Sequence, residues 1–192
     1  MGVKAQKAEA TRAVLIAAAR ELFARDGYGA TGTEAILARA GMTRGALYHH
    51  FADKQALFAA VCEVLHAEGE AAIEAQADAA PDAFQALVEG CLAFLDFMVR
   101  PEVRRILILE APGVLGWDQW NEMDRRHGFG LLIAGVSDAA AEGSISGDPQ
   151  TLAVMINGAL NYGVVWAGQS ADPRALRQLK AGFVDLMESL RL

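Results

Sequence analysis

From about residue 8 to residue 190 the chain repeats one pattern: apolar residues three and four apart, broken by a capping residue, a glycine or a proline. That spacing is one face of an α-helix, and nothing in the chain resembles a strand with its period of two. Five prolines and few β-branched runs point the same way. The expected fold class is all-α, with about nine helices. The first covers about 8–26, with Val14, Leu15, Ala18, Leu22 and Phe23 on one face, and Gly27 is placed to end it in the left-handed conformation. Thr33 is positioned to N-cap a second over about 34–40, which Gly41 ends, and Thr43 to cap a short third over about 44–50. Asp53 caps a long fourth, about 54–77, carrying Leu57, Phe58, Val61, Leu65 and Ile73.

The remainder divides in the same way. Pro81 suits the first turn of a fifth helix, which ends near Val99 because the residue before Pro101 resists the α conformation. A sixth spans about 101–110 and stops at Ala111-Pro112-Gly113. A seventh covers about 116–142, bent or interrupted near His127-Gly128-Phe129-Gly130, and ends at Gly143. Asp148-Pro149 and Asp172-Pro173 look alike: an N-cap followed by proline at the first helical position. They open helices over about 149–168 and about 173–190.

The 192 residues, 53% of them hydrophobic, suffice for one large domain or for one small and one medium domain. Cys62 and Cys91 sit inside apolar helical patterns and read as buried free thiols of a reducing compartment. The start, MGVKAQKAEATRA, is polar and basic, unlike a secretory leader, and no apolar run is long enough to span a bilayer, so a cytoplasmic location is expected. The net charge of −7 averages two unlike parts. Residues 1–58 hold eight Lys/Arg against five Asp/Glu, and the remaining 134 hold nine against nineteen. One end of the chain is suited to meet an anion that the other repels.

The helix over about 34–40, the turn Ala40-Gly41-Met42-Thr43 and the helix over about 44–50 form a helix-turn-helix. Ile36 and Leu37 face a core, and Leu47 and Phe51 bring the second helix back onto it. The opposite face carries Arg44, Gly45, Tyr48 and His49. In such a unit the second helix enters the major groove. Arg44 can reach a guanine edge or a phosphate, and Tyr48 can donate to a phosphate oxygen. Gly45 costs about 1 kcal/mol relative to alanine inside a helix, which makes sense if another backbone approaches there, or if the glycine relieves crowding against the first helix. Lys54 begins the next helix, where free amides also favour phosphate. His49 and His50 point about 100° apart and cannot readily chelate one metal from a regular helix. His49 is a candidate DNA contact and His50 a structural residue beside Phe51. No metal-ligand spacing and no cofactor motif are found.

The stretch FARDGYGATGTEAILARAGMTRGALYHHFADKQALF, residues 23–58, resembles the DNA-binding region of the tetracycline-repressor (TetR) family of bacterial regulators. The pattern G-x-L-Y-x-H-F-x-x-K-x-x-L-F carries the likeness, together with Phe23, Gly27-Tyr28, Thr31, Thr33, Ile36 and Ala40-Gly41. Gly32 and Met42 depart from it. The resemblance implies a helix-turn-helix domain over 1–53, and a ligand-binding and dimerisation domain over 54–192. It implies a homodimer that represses transcription from double-stranded, palindromic operator DNA until a small organic effector binds. It places DNA contacts at Thr33, Thr43, Arg44, Gly45, Tyr48, His49 and Lys54.

Apolar stripes in the last two helices, Leu152, Met155, Ile156 and Ala159 with Leu176, Leu179, Phe183, Leu186 and Leu190, are expected at the dimer interface, where the family pairs its subunits. Candidate ligand-lining residues are Phe94, Phe97, Met98, Trp117, Trp120, Met123, His127, Asn161, Tyr162 and Trp166, aromatics with a few polar groups. No cluster of acids marks a cationic ligand, and no arginine pair marks an anionic one. Two other classes compete: a helical enzyme and a protein-interaction module that does not act through DNA. Against the first stand the lack of a nucleophile elbow, a phosphate loop or paired carboxylates, Asp118, Glu122 and Asp124 lying on what reads as a solvated helix start. Against the second stands the intact set Thr43, Arg44, Tyr48 and Lys54.

Overall fold

The computed structural model describes residues 2–192. Its helices, in chain order, are α1 (Val3–Asp26), α2 (Thr33–Ala40), α3 (Arg44–His50), α4 (Lys54–Ala77), α5 (Ala83–Met98) and α6 (Pro101–Val103). A π-helical stretch, Arg104–Glu110, leads into α7 (Ala111–Leu115), α8 (Trp117–Arg126), α9 (Gly128–Ala141), α10 (Pro149–Gln169) and α11 (Ala175–Glu188). Among the described residues there is no strand, only an isolated bridge between Ile145 and Arg191, and the all-α expectation holds. No helix among them is long and apolar enough to cross a membrane.

The chain forms two compact units. The first runs up to Leu65 and includes Arg105–Trp120; the second comprises His66–Arg104 and Asn121–Leu192. In the first, Leu15, Leu22, Phe23, Ile36, Leu47, Leu57 and Phe58 are buried, so α1 to α4 close on one apolar centre. Phe23, Tyr28 and Phe58 pack as a tilted and edge-on trio with ring centres 5.1–5.7 Å apart. Val14, expected on the buried face of α1, is 41% exposed, and Ala19 is buried instead. In the second unit α5 is the central helix, with Phe84, Leu95 and Phe97 buried and α9, α10 and α11 packed on it.

Local chemistry explains most boundaries. Thr43 accepts from the Ala46 amide, Asp53 from Ala56 and Asp148 from Thr151, as their cap positions require. Gly41 adopts the left-handed conformation, φ 64° and ψ 32°. Cys62 and Cys91 are buried free thiols; burial raises both, Cys91 to about 12.

Several boundaries differ from the expectation. Gly27 has the positive φ of 86° but a ψ of 163°, so the chain leaves α1 extended rather than left-handed. A Cβ there would lie 2.6 Å from Glu110 Oε1 and 2.8 Å from Arg105 Nη2, so this close approach also requires glycine. Thr33 is the first residue of α2, which Gly32 precedes without a side-chain cap. Asp82, not the start at Pro81, caps α5 by accepting from Gln85. Ala111-Pro112-Gly113 does not stop the helix: Pro112 falls in the first turn of α7, where its missing N–H is harmless, and Gly116 ends it. The break near His127 occurs as expected. Asp172 folds a turn onto the Arg174 amide, and α11 begins only at Ala175.

Candidate nucleic-acid interface and ligand cavity

In the first unit, Leu47 and Phe51 anchor one side of α3 in the core, which turns the other side outward. Thr43, Arg44, Gly45, Tyr48 and His49 are exposed, Thr33 and Lys54 are half-buried, and His50 is half-buried with its ring centre 6.4 Å from that of Phe51. The Arg44 guanidinium lies over the Tyr48 ring at 5.8 Å, and its Nε is 3.8 Å from Glu34 Oε1 across the turn. Both partners of that ion pair are at least 70% exposed, so it is weak and exchangeable. A Cβ on Gly45 would meet nothing within 4 Å, which excludes crowding against α1 as the reason for glycine.

Lys54 has a structural role that its position alone did not reveal. Its Nζ donates to the carbonyls of Tyr28 (2.9 Å) and Thr31 (3.0 Å) and lies 4.0 Å from the Tyr28 ring centre. The ammonium therefore staples the loop before α2. From the other side Glu110 Oε2 accepts the Tyr28 amide at 2.8 Å. Arg105 donates to the carbonyls of Ala24 and Arg25 at the end of α1 and to Glu110 Oε1. Sequence reasoning did not single out Arg105 and Glu110, because their partners lie about eighty residues away in the chain.

The second unit contains a cavity of about 340 Å³ between the C-terminal part of α4, α5, α9 and α10. Leu87, Leu131, Leu132, Leu160, Cys91 and Phe94 form its apolar wall, and Asn157, Glu74, Asp78 and Asp138 are its polar members. Of the ten residues expected to line a ligand site, Phe94 is in this wall. Phe97, Met98 and Met123 are core residues, and a Cβ at Gly69 would touch the Phe97 ring. Trp117 is 64% exposed, and Trp120 donates to the Leu107 carbonyl. Tyr162 and Trp166 face outward from α10, and Asn161 donates to Asn157.

Behind the cavity lies a polar cluster. His127 Nδ1 and Glu70 Oε2 are 2.8 Å apart, and the His66 ring stacks on that of His127 with centres 5.4 Å apart. Asp124, read from sequence as solvated, is buried; burial raises its carboxyl above the ordinary value, against the opposing pull of a hydrogen bond from Asn157 and the charge of His127. Among the described residues no group of acidic, histidine or cysteine side chains could hold a metal ion.

Of the residues expected at a dimer interface, Met155, Ala159 and Leu186 are exposed, and Leu152, Leu176, Leu179 and Leu190 are half-buried. Ile156 and Phe183 belong to the core of the unit. Leu179 also packs within the unit, against Gly163, where a Cβ would lie 2.9 Å from it.

A short helix held over a core by one face, with arginine, tyrosine and bare backbone on the other, is the DNA-reading half of a helix-turn-helix regulator of transcription. Residues 15–61 match the family of bacterial regulatory proteins named tetR, and residues 84–190 match the tetracyclin repressor-like C-terminal domain. The chain belongs to the TetR family of transcriptional regulators. A solved TetR-family transcriptional regulator from Pectobacterium atrosepticum is similar over 97% of both chains, with 34% identity and a TM-score of 0.80. The regulator AcrR of Shigella flexneri is 36% identical over 104 residues, 54% of this chain and 48% of its own length. The repressor NicS of Pseudomonas putida is 34% identical over 111 residues, 57% and 52% respectively. The chain thus spans about half the length of these two curated relatives.

Proposed function

We propose that this protein is a cytoplasmic homodimeric repressor that leaves a palindromic operator when a small organic molecule enters the cavity of its second unit. The observation that carries the reading is the outer face of α3, where Thr43, Arg44, Tyr48 and His49 surround a glycine with nothing over it. In this reading Arg44 reads a base edge or a phosphate; Thr33, Thr43, Tyr48 and His49 hold phosphates; and Gly45 lets the backbone lie close to the sugar-phosphate chain. Lys54 keeps the loop before α2 in place and has one proton left for a phosphate. Repression is supported by NicS, which is named as a repressor.

Dimerisation is supported by an apolar stripe that the protomer leaves uncovered: Val154, Met155, Gly158, Ala159, Tyr162 and Trp166 on α10, with Gly182 and Leu186 on α11. Two α3 helices must be about 34–36 Å apart to enter successive major grooves, which one protomer cannot supply. Release requires a ligand that binds the DNA-incompetent arrangement better; tenfold derepression needs about 1.4 kcal/mol of that preference. α4 is the element through which this would act, since Lys54 stands at one end and Glu74 and Asp78 line the cavity at the other.

The test is selection of bound fragments from genomic DNA, followed by titration of the selected site. Arg44→Ala is expected to alter sequence preference and to weaken binding by about 5- to 150-fold, a loss of about 1–3 kcal/mol. Lys54→Ala is expected to weaken specific and random DNA alike and to lower the melting temperature. Failure to enrich any palindromic site at low salt, or an Arg44→Ala protein with parental affinity and preference, would overturn the proposal.

A further inference from the structure

The cavity of the second unit has a sign. Its wall combines leucines from α5, α9 and α10 with Phe94, and its charged members are Glu74 from α4, Asp78 in the turn just after it, and Asp138 from α9. No lysine or arginine lines it. All three carboxylates are exposed, so they stand at the mouth rather than in the apolar interior. Among the described residues none of their side chains is engaged in an ion pair or a hydrogen bond. They are also not gathered round a point, since no metal-holding group exists among the described residues. The unit around the cavity holds sixteen Asp/Glu against eight Lys/Arg, so its overall field has the sign of the mouth.

Building on the ligand-responsive reading above, we propose that this cavity takes an amphipathic organic monocation. A one- or two-ring body would lie among Leu87, Leu131, Leu160 and Phe94, and an ammonium-type group would face Glu74, Asp78 and Asp138 at the mouth. A cavity of about 340 Å³ is at the small end of ligand pockets, which limits the body to that size. The apolar wall supplies most of the affinity, and the unengaged carboxylates select the charge. An anion of the same shape would meet only like charge there. Phe94 adds an aromatic face, which also favours a cation over a neutral group.

The experiment uses three molecules with one two-ring body: 1-naphthylmethylammonium, 1-naphthalenemethanol and 1-naphthoate. Each is titrated calorimetrically into the full chain. The ammonium is expected to bind at least tenfold more tightly than the alcohol, and the naphthoate more weakly than either. Raising the salt should weaken the ammonium and leave the alcohol unchanged. In the triple variant Glu74→Gln, Asp78→Asn, Asp138→Asn the preference should fall to within threefold, and Ala134→Trp at the exposed mouth should abolish binding of the ammonium, circular dichroism confirming that both variants fold. Equal or tighter binding of the alcohol or the naphthoate, no binding of the ammonium, or a charge preference that survives in the triple variant would each overturn the proposal. If the ammonium binds here with the expected preference but does not free operator DNA, the ligand class stands and the release reading fails. If a neutral or anionic molecule frees DNA through this cavity, the reverse holds.

Discussion

Gly45 is the second residue of a seven-residue helix, and a Cβ there would meet nothing within 4 Å, so packing within the protomer does not require glycine. Replacing it by alanine should leave the fold intact and raise stability by up to about 1 kcal/mol from helix propensity. Gly45→Leu should fold as well, yet DNA binding should fall by more than tenfold. Urea unfolding and gel-shift titration on the same preparations separate the two effects, and a Gly45→Leu protein with parental affinity would show that no backbone approaches there. Asp124 poses a different question, because its carboxyl is buried and shifted upward by that burial. The native state therefore holds this proton more tightly than the unfolded chain does. That preference contributes stability below the ordinary aspartate value, and it is lost as pH rises through the raised native value. Asp124→Asn removes the charge while keeping a hydrogen-bonding group beside Asn157. The variant's stability relative to the parent should increase as pH rises from the ordinary aspartate value, about 4, through the raised native value. Urea midpoints that run parallel across that range would refute the buried-charge account.

Among elements, the π-helical stretch Arg104–Glu110 behaves as a clamp on the first unit rather than as a connector. Arg105 caps the last carbonyls of α1, and Glu110 takes the Tyr28 amide and orients Arg105. Glu110→Ala removes a charged acceptor from a part-buried amide, so a loss of about 1.5–3 kcal/mol is expected in chemical denaturation. The loop carrying Thr31 should also exchange its amides faster, and protection at parental levels would show that Lys54 alone holds it. This clamp marks where the sequence stopped being informative. Caps at Thr43, Asp53 and Asp148 were readable because a side chain and the amides it serves are three residues apart. Pro112 was misread because proline is as comfortable inside the first turn of a helix as beyond its end. Gly27 was half-read: its positive φ is a local need of the helix end, but the lack of room for a Cβ comes from Arg105 and Glu110, some eighty residues away. The exposed outer face of α3 was legible because it lies within one short helix and its flanks. The cavity was not, because Glu74 and Asp78 come to line one cavity with Asp138 only through the fold of the second unit. The spacing of four between Glu74 and Asp78, at the end of the fourth helix and just past it, was the single visible signal.

At the scale of the whole molecule, the proposed function requires an acidic protein to associate with itself and with a polyanion. The second unit carries twice as many acidic as basic residues, so two copies repel unless apolar burial exceeds the repulsion. The stripe through Met155, Ala159, Tyr162 and Trp166 on α10 offers that burial, and Gly158 lets a partner helix approach. Met155 is 67% exposed, so arginine there leaves the protomer's packing alone and places a charge in the middle of the proposed interface. Met155→Arg should keep its helicity, sediment as a monomer at micromolar concentration and bind a full operator at least a hundredfold more weakly. A monomer neutralises half as many phosphates, so the slope of log affinity against log salt should fall to about half. That slope separates lost pairing from local damage to the DNA face, which would weaken binding without halving the number of released counterions. A Met155→Arg protein that still sediments as a dimer with the parental salt slope would place the pairing surface elsewhere on the molecule.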